Sequence, residues 1–217
     1  MAAGPGTASA RRGPPEAGGP GQDRARRGLA FAGRVWTVLA WLTLLPPAAV
    51  ADVKAGEQKA QLCLLCHKVA NTTVPASAMP LLEAQPARYV YLQTKAFKEK
   101  RRAEPAMQTN AANLSDRDMR DIADYFAAQK PIRAAHPVDS AKAASGQTTA
   151  QALLCGTCHL STFHGEDEVP RLAGQTAGYV VAQLELFAAG TRKHGAMAVA
   201  LTPEEMENLA HYFAGLE

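Results

Sequence analysis

The chain has 217 residues, 47% of them apolar, 6% aromatic and 20% charged, which suits one or two small domains. Its formal charge of +3 misleads, because six arginines (Arg11, Arg12, Arg24, Arg26, Arg27, Arg34) stand within residues 1–51 against Glu16 and Asp23. Residues 52–217 hold 17 basic and 18 acidic side chains, a net of −1, so the basic footprint expected of a nucleic-acid binder is missing there.

Residues 1–34 are rich in Gly, Pro, Ala and Arg and read as a disordered basic segment. An apolar run over residues 35–45 follows, Pro46-Pro47 ends it, and Ala49-Val50-Ala51 forms an A-x-A site before Asp52. This is the n-, h- and c-region order of a secretory signal, and the run is too short to span a bilayer comfortably. Residues 1–51 are therefore expected to be a signal peptide with a long basic n-region. A leader left uncleaved would tether the protein to the membrane.

One pentapeptide occurs twice: Cys63-Leu64-Leu65-Cys66-His67 and Cys155-Gly156-Thr157-Cys158-His159. Two thiols three positions apart, followed at once by a histidine, form the c-type haem attachment signature. The spacing lets both sulfurs form thioethers to one porphyrin, and the next residue turns its imidazole onto the iron. Together the two motifs use all four cysteines of the chain. Such close pairs suit a cross-fold disulfide framework poorly. A zinc ribbon has no use for a histidine after each pair, and no run of strands supports a thioredoxin-like dithiol. The expected cofactors are two haem c groups, which also explains the few aromatics, since a porphyrin completes a small core.

The surroundings of the motifs repeat as well. Tyr89-Val90, Gln93 and Phe97 answer Tyr179-Val180, Gln183 and Phe187 at an offset of 90 residues. Leu114-Ser115 answers Leu201-Thr202, and Tyr125-Phe126 answers Tyr212-Phe213, at an offset of 87. Each half reads as helices: a short one carrying CxxCH, a central one from Tyr89 or Tyr179, and a closing one. Ser115 with Asp118, and Thr202 with Pro203 and Glu205, are N-terminal capping signals. Met119, Ile122, Tyr125 and Phe126 make one apolar stripe, matched by Met206, Leu209, Tyr212 and Phe213, so these methionines are expected in the core. His136, His164 and His211 are expected to be surface or packing residues.

These stretches, with Pro170-Arg171-Leu172-Ala173-Gly174-Gln175, resemble the dihaem cytochromes c of the c4 type over essentially residues 52–217. The resemblance implies an all-α fold of two tandem class I cytochrome c domains, each wrapped round one covalent haem. They would occupy residues 52–128 and 139–217, joined by a linker at 129–138. It implies that Cys63, Cys66, Cys155 and Cys158 hold the haems, that His67 and His159 bind iron, and that Pro80 and Pro170 offer carbonyls to those imidazoles. The first half reads Leu82-Glu83-Ala84-Gln85 where the second reads Leu172-Ala173-Gly174-Gln175, which puts the local turn there in doubt.

Family members place a methionine on the other side of the iron. In the first half that is Met107, expected in a loop eight residues before Ser115. In the second half two residues compete. Counted from Phe187, Met197 matches Met107; counted back from Thr202, His194 does. Family habit favours Met197, while His194 would make the iron bis-histidine and lower its potential.

The implied function is electron carriage in the periplasm between membrane redox complexes, such as a quinol-oxidising complex and a terminal oxidase, by a soluble monomer. The alternatives are a dihaem oxidoreductase acting on a small sulfur compound or peroxide, and a cytochrome subunit dedicated to one dehydrogenase. Charge adds a further expectation. Residues 52–135 carry 13 basic and 9 acidic side chains (+4), residues 136–217 carry 4 and 9 (−5), and such a dipole can steer a diffusing partner.

Overall fold

A computed structural model of the protein describes residues 52–68, 79–132, 137–195 and 200–217. Residues 1–51, expected to be a signal peptide, lie outside them, as do His136 and Met197. Among the described residues the secondary structure is helical, with one isolated antiparallel bridge between Glu166 and Val169. In chain order the helices are α1 (Val53–His67), α2 (Ala87–Lys98), α3 (Pro105–Ala111), α4 (Asp116–Ala127), α5 (Ser140–Ala152), α6 (Gly156–His159), α7 (Ala177–Ala188) and α8 (Pro203–Gly215).

The closing helices form where the capping chemistry predicts. Ser115 accepts from the Asp118 N–H at 3.1 Å while Asp118 reaches back to the Ser115 N–H at 2.9 Å. Thr202 and Glu205 repeat the box at 3.2 and 2.8 Å, with Pro203 in the first turn. Two of the orphan donors at each helix start are thereby satisfied. Both apolar stripes face inward: Met119, Ile122 and Phe126 are buried, as are Met206, Leu209 and Phe213.

Each closing helix packs across the first helix of its half, α4 on α1 and α8 on α5. Glycine permits both crossings. A Cβ on Gly56 would meet the Asp121 carbonyl oxygen at 2.0 Å, and one on Gly146 the Asn208 carbonyl oxygen at 2.0 Å. At the first crossing, the N–H of Asp52 donates to Asp121 Oδ1 at 2.9 Å, and Lys59 Nζ reaches Asp121 Oδ2 at 2.7 Å. Asp52 itself caps α1, accepting from the N–H groups of Lys54 and Ala55.

The halves differ at the CxxCH motif. In the first, one 15-residue helix runs through to His67, longer than the short helix expected. In the second, α5 stops at Ala152, and Leu154 takes a left-handed φ of 55°. The Cys155 N–H returns to the Ala150 carbonyl at 3.0 Å, a helix-ending loop usually given to glycine. A separate turn, α6, then presents Cys158 and His159. The turn in doubt after Leu82 is the same in both halves. Ala84 (φ 57°) and Gly174 (φ 74°) are both left-handed, and their N–H groups donate to the Phe126 and Phe213 carbonyls at 2.9 and 2.8 Å. The tie to the closing helix outweighs the cost of about 1 kcal/mol for alanine in that conformation.

Candidate haem centres

Helical backbone from Cys63 to His67 places the two thiols about one turn apart, and α6 does the same from Cys155 to His159. None of the four cysteines is in a disulfide. Cys63 and Cys155 are half-buried, Cys66 and Cys158 exposed. Burial pushes the Cys63 and Cys155 thiols above their ordinary pKa.

Both histidines are buried, and both are oriented the same way. His67 Nδ1 lies 2.9 Å from the Pro80 carbonyl oxygen, His159 Nδ1 2.9 Å from that of Pro170. A carbonyl can only accept, so Nδ1 carries the proton and the Nε2 lone pair is left for a metal. Burial lowers the pKa of each imidazole, with the proline carbonyl opposing it. Burial thus favours the neutral ring, the form that ligates.

The residues expected opposite these rings are placed unequally. Met107 is half-buried and sits on the short helix α3, not in an irregular loop. Pro105 begins that helix, and side-chain bonds from Thr109 to the Pro105 carbonyl and Asn110 to the Ala106 carbonyl hold it. His194 is half-buried in a non-helical stretch. Its ring centre lies 6.1 Å from that of His159, with the planes 31° apart, and 5.0 Å from that of Phe187, edge-on. Of the other histidines, His164 Nε2 lies 2.8 Å from the Glu217 backbone oxygen, and His211 accepts from the Asp139 N–H at 3.1 Å.

No protein-family model matches the chain. Cytochrome c4 of Pseudomonas aeruginosa is 34% identical over 182 residues, covering 77% of this chain and 90% of that protein. The chain belongs to the c4-type dihaem cytochromes c. The solved structure of reduced cytochrome c4 from Pseudomonas stutzeri matches this c4-type cytochrome with a TM-score of 0.69 at 30% identity, covering 77% of this chain and 100% of that one. The thiosulfate dehydrogenase electron acceptor of Stutzerimonas stutzeri is 33% identical over 72% of this chain and 80% of its own length.

The fold of this c4-type cytochrome is accordingly the all-α class I cytochrome c fold, and its cofactors are two haem c groups. The residues present fit them: cysteines outside any disulfide at the required spacing, and imidazoles whose Nδ1 is taken by a carbonyl so that Nε2 is left for iron. Family membership also makes the chain a dihaem c-type electron carrier.

Sequence reasoning named Tyr89, Gln93, Tyr179 and Gln183 only as repeats and missed Arg102 and Arg192, with which the structure joins them between the halves. Arg102 donates to Tyr179 and Gln183 at 2.9 Å each, and Arg192 donates to Tyr89 at 3.1 Å and Gln93 at 3.3 Å. Each guanidinium also lies over the phenylalanine of its own central helix, 4.6 Å from Phe97 and 4.7 Å from Phe187. Gln85 and Gln175, both buried, likewise reach across. The signal that could have found them is the offset of 90 residues, which both pairs share.

Proposed function

We propose that this protein is a periplasmic carrier that takes and gives single electrons through two haems, without turning over a substrate of its own. Haem iron supplies the one-electron couple. The protein's part is to hold each iron by a neutral, oriented imidazole and to close the opposite side. In this reading Cys63 and Cys66, and Cys155 and Cys158, hold the haems covalently, and His67 and His159 are the proximal ligands. Their identical Nδ1 contacts with Pro80 and Pro170 are the observation that carries it, because such a contact makes the ring a better and more rigid donor.

Met107 is proposed as the sixth ligand of the first haem. A neutral thioether favours ferrous iron and leaves no site for substrate. For the second haem the family expectation is Met197, which lies outside the described residues. A bis-histidine reading has its own support. Two imidazoles sharing one iron at metal–nitrogen bonds of about 2 Å hold their ring centres roughly 6 Å apart, and His159 and His194 stand at 6.1 Å. The weak far-red absorption band of methionine-ligated ferric haem separates the two. Intensity for two haems supports Met197, and intensity for one supports His194.

The partners proposed are a quinol-oxidising complex on the donor side and a terminal oxidase on the acceptor side. A relative named as a thiosulfate dehydrogenase electron acceptor supports a second reading, that the donor is one dedicated sulfur-oxidising dehydrogenase. The deciding experiment mixes oxidised protein with thiosulfate, alone and with such a dehydrogenase, and reduced protein with peroxide alone. A carrier is reduced only when the dehydrogenase is present, and turnover by the protein alone would sink the reading.

A further inference from the structure

We propose that the potential of each haem is tuned from the opposite half of the chain, through Gln175 for the first haem and Gln85 for the second. The inference rests on the reading of His67 and His159 as proximal iron ligands.

The geometry is a pair of crossed hydrogen-bond ladders. Gln175 Oε1 accepts from the Leu81 N–H at 2.8 Å, and its Nε2 donates to the Leu81 carbonyl at 3.0 Å. In the other direction, Gln85 Oε1 accepts from the Arg171 N–H at 3.1 Å, and its Nε2 donates to the Arg171 carbonyl at 2.8 Å. Both glutamines are buried, 5% and 4% exposed, so water does not compete for these bonds. Thr176 braces the same seam, donating its hydroxyl to the Met79 carbonyl at 2.9 Å.

The peptide group that joins residues 80 and 81 carries both the Pro80 carbonyl and the Leu81 N–H. That carbonyl accepts from His67 Nδ1 at 2.9 Å. Gln175 Oε1, the Leu81 N–H, the Pro80 carbonyl and the His67 N–H therefore form one continuous relay. The peptide joining residues 170 and 171 does the same between Gln85 and His159. Hydrogen bonds in such a chain polarise one another, so an acceptor on the N–H makes the carbonyl at the other end a stronger acceptor. A stronger acceptor makes the imidazole a more basic ligand. A more basic ligand favours ferric iron and lowers the potential. The glutamine acts through the peptide and the histidine, so it is a positioning residue and not a ligand.

The test uses the full holoprotein with Gln175→Met and Gln85→Met made separately. Methionine keeps length and burial but withdraws the hydrogen bonds. Potentials of the two haems are read by spectroelectrochemistry and assigned to halves by nuclear Overhauser contacts from haem methyls. The expected result is crossed. Gln175→Met shifts the ferric/ferrous equilibrium of the first haem toward ferrous by about two- to tenfold, as a perturbation one bond beyond the ligand's own partner, and leaves the second nearly unmoved. Gln85→Met does the reverse. Gln175→Glu, whose neutral acid can accept and donate like the amide, restores the wild-type value. If a methionine variant does not fold, Gln→Asn, which pulls the amide back by one methylene, gives the same crossed reading.

Equal shifts in both haems, or a shift confined to the half that holds the mutated glutamine, would overturn the proposal, since that is what simple loosening of the seam produces. The proximal reading is checked in the same spectra. Hyperfine-shifted ring protons of His67 and His159 support it, and their absence from the wild type removes both that reading and this one.

Discussion

Asp121 stands where α4 crosses α1. Its carboxylate is fully buried, yet it receives Lys59 Nζ at 2.7 Å and the Asp52 N–H at 2.9 Å. Burial alone would raise its pKa, but the hydrogen bonds from Lys59 and Asp52 and the charges of Lys59 and Arg117 outweigh that and hold it below the ordinary value. Asp118, bonded to Lys59 and Ser115, is lowered as well. A carboxyl depressed in the folded state stabilises fully above its unfolded pKa of about 3.9, and the contribution is lost as pH falls through the folded value. The melting temperature should therefore hold near neutrality and drop below about pH 4. Asp121→Asn should flatten that acid-side loss and lower stability at pH 7 by roughly 1–3 kcal/mol, the scale of a hydrogen bond lost by a buried charged group. Thermal melts of both proteins across pH check it, and an unchanged acid limb would count against the account. None of this was legible in the sequence, where Asp121 is one aspartate on a polar helix face. Cys63, Cys66 and His67 could be proposed from sequence alone because their chemistry is local, set by spacing along a single turn.

At the scale of elements, the central and closing helices of each half could be read from apolar spacing and caps, and the boxes at Ser115 and Thr202 formed as expected. What could not be read was contact between elements distant in sequence. Gly56 and Gly146 look unremarkable in a row of alanines and lysines, but each lets a helix backbone pass within reach of a partner's carbonyl. Gly146→Ala puts a methyl group 2.0 Å from the Asn208 carbonyl oxygen and 2.5 Å from its carbon, both rigid backbone atoms. The helices must separate, and the expected cost is about 1–3 kcal/mol or more, despite alanine's better helix propensity. Urea titration of the holoprotein measures it, and a neutral or stabilising outcome would contradict the crossing. The loop expected around Met107 became helix α3 for a comparable reason. Pro105 pre-sets the first helical φ, and the run Ala106–Ala111 contains no breaker, a signal that eight residues of spacing before a cap obscured.

Across the whole molecule, charge and repetition act together. The basic excess of residues 52–135 and the acidic excess of residues 136–217 are expected to orient the carrier toward charged partners. Lys98 and Lys100 are exposed at and just beyond the end of α2, while Lys95 and Arg101 beside them pair with Glu99. Steering of this kind is screened beyond about 8–10 Å at physiological salt. The second-order rate of reduction by an acidic partner should fall several-fold between about 10 and 200 mM ionic strength. Reversing two charges, Lys98→Glu with Lys100→Glu, should reduce both the rate and its salt dependence in stopped-flow measurements. A rate indifferent to salt would show that the asymmetry is unpatterned surface charge.

The bond between Asp52 and Asp121 has one more consequence. Asp52 is where the A-x-A site predicts the leader to be cut, and its backbone nitrogen is already lodged against a buried carboxylate. Severing the preceding peptide there would convert a neutral amide into a positively charged amine at the very spot where Asp121 waits. Export would then do more than deliver the polypeptide: trimming it would supply a second cation to a site that holds one, tightening α1 onto α4 only after arrival. A precursor blocked at Ala51 should melt at a lower temperature than the trimmed protein, with the gap closing in Asp121→Asn.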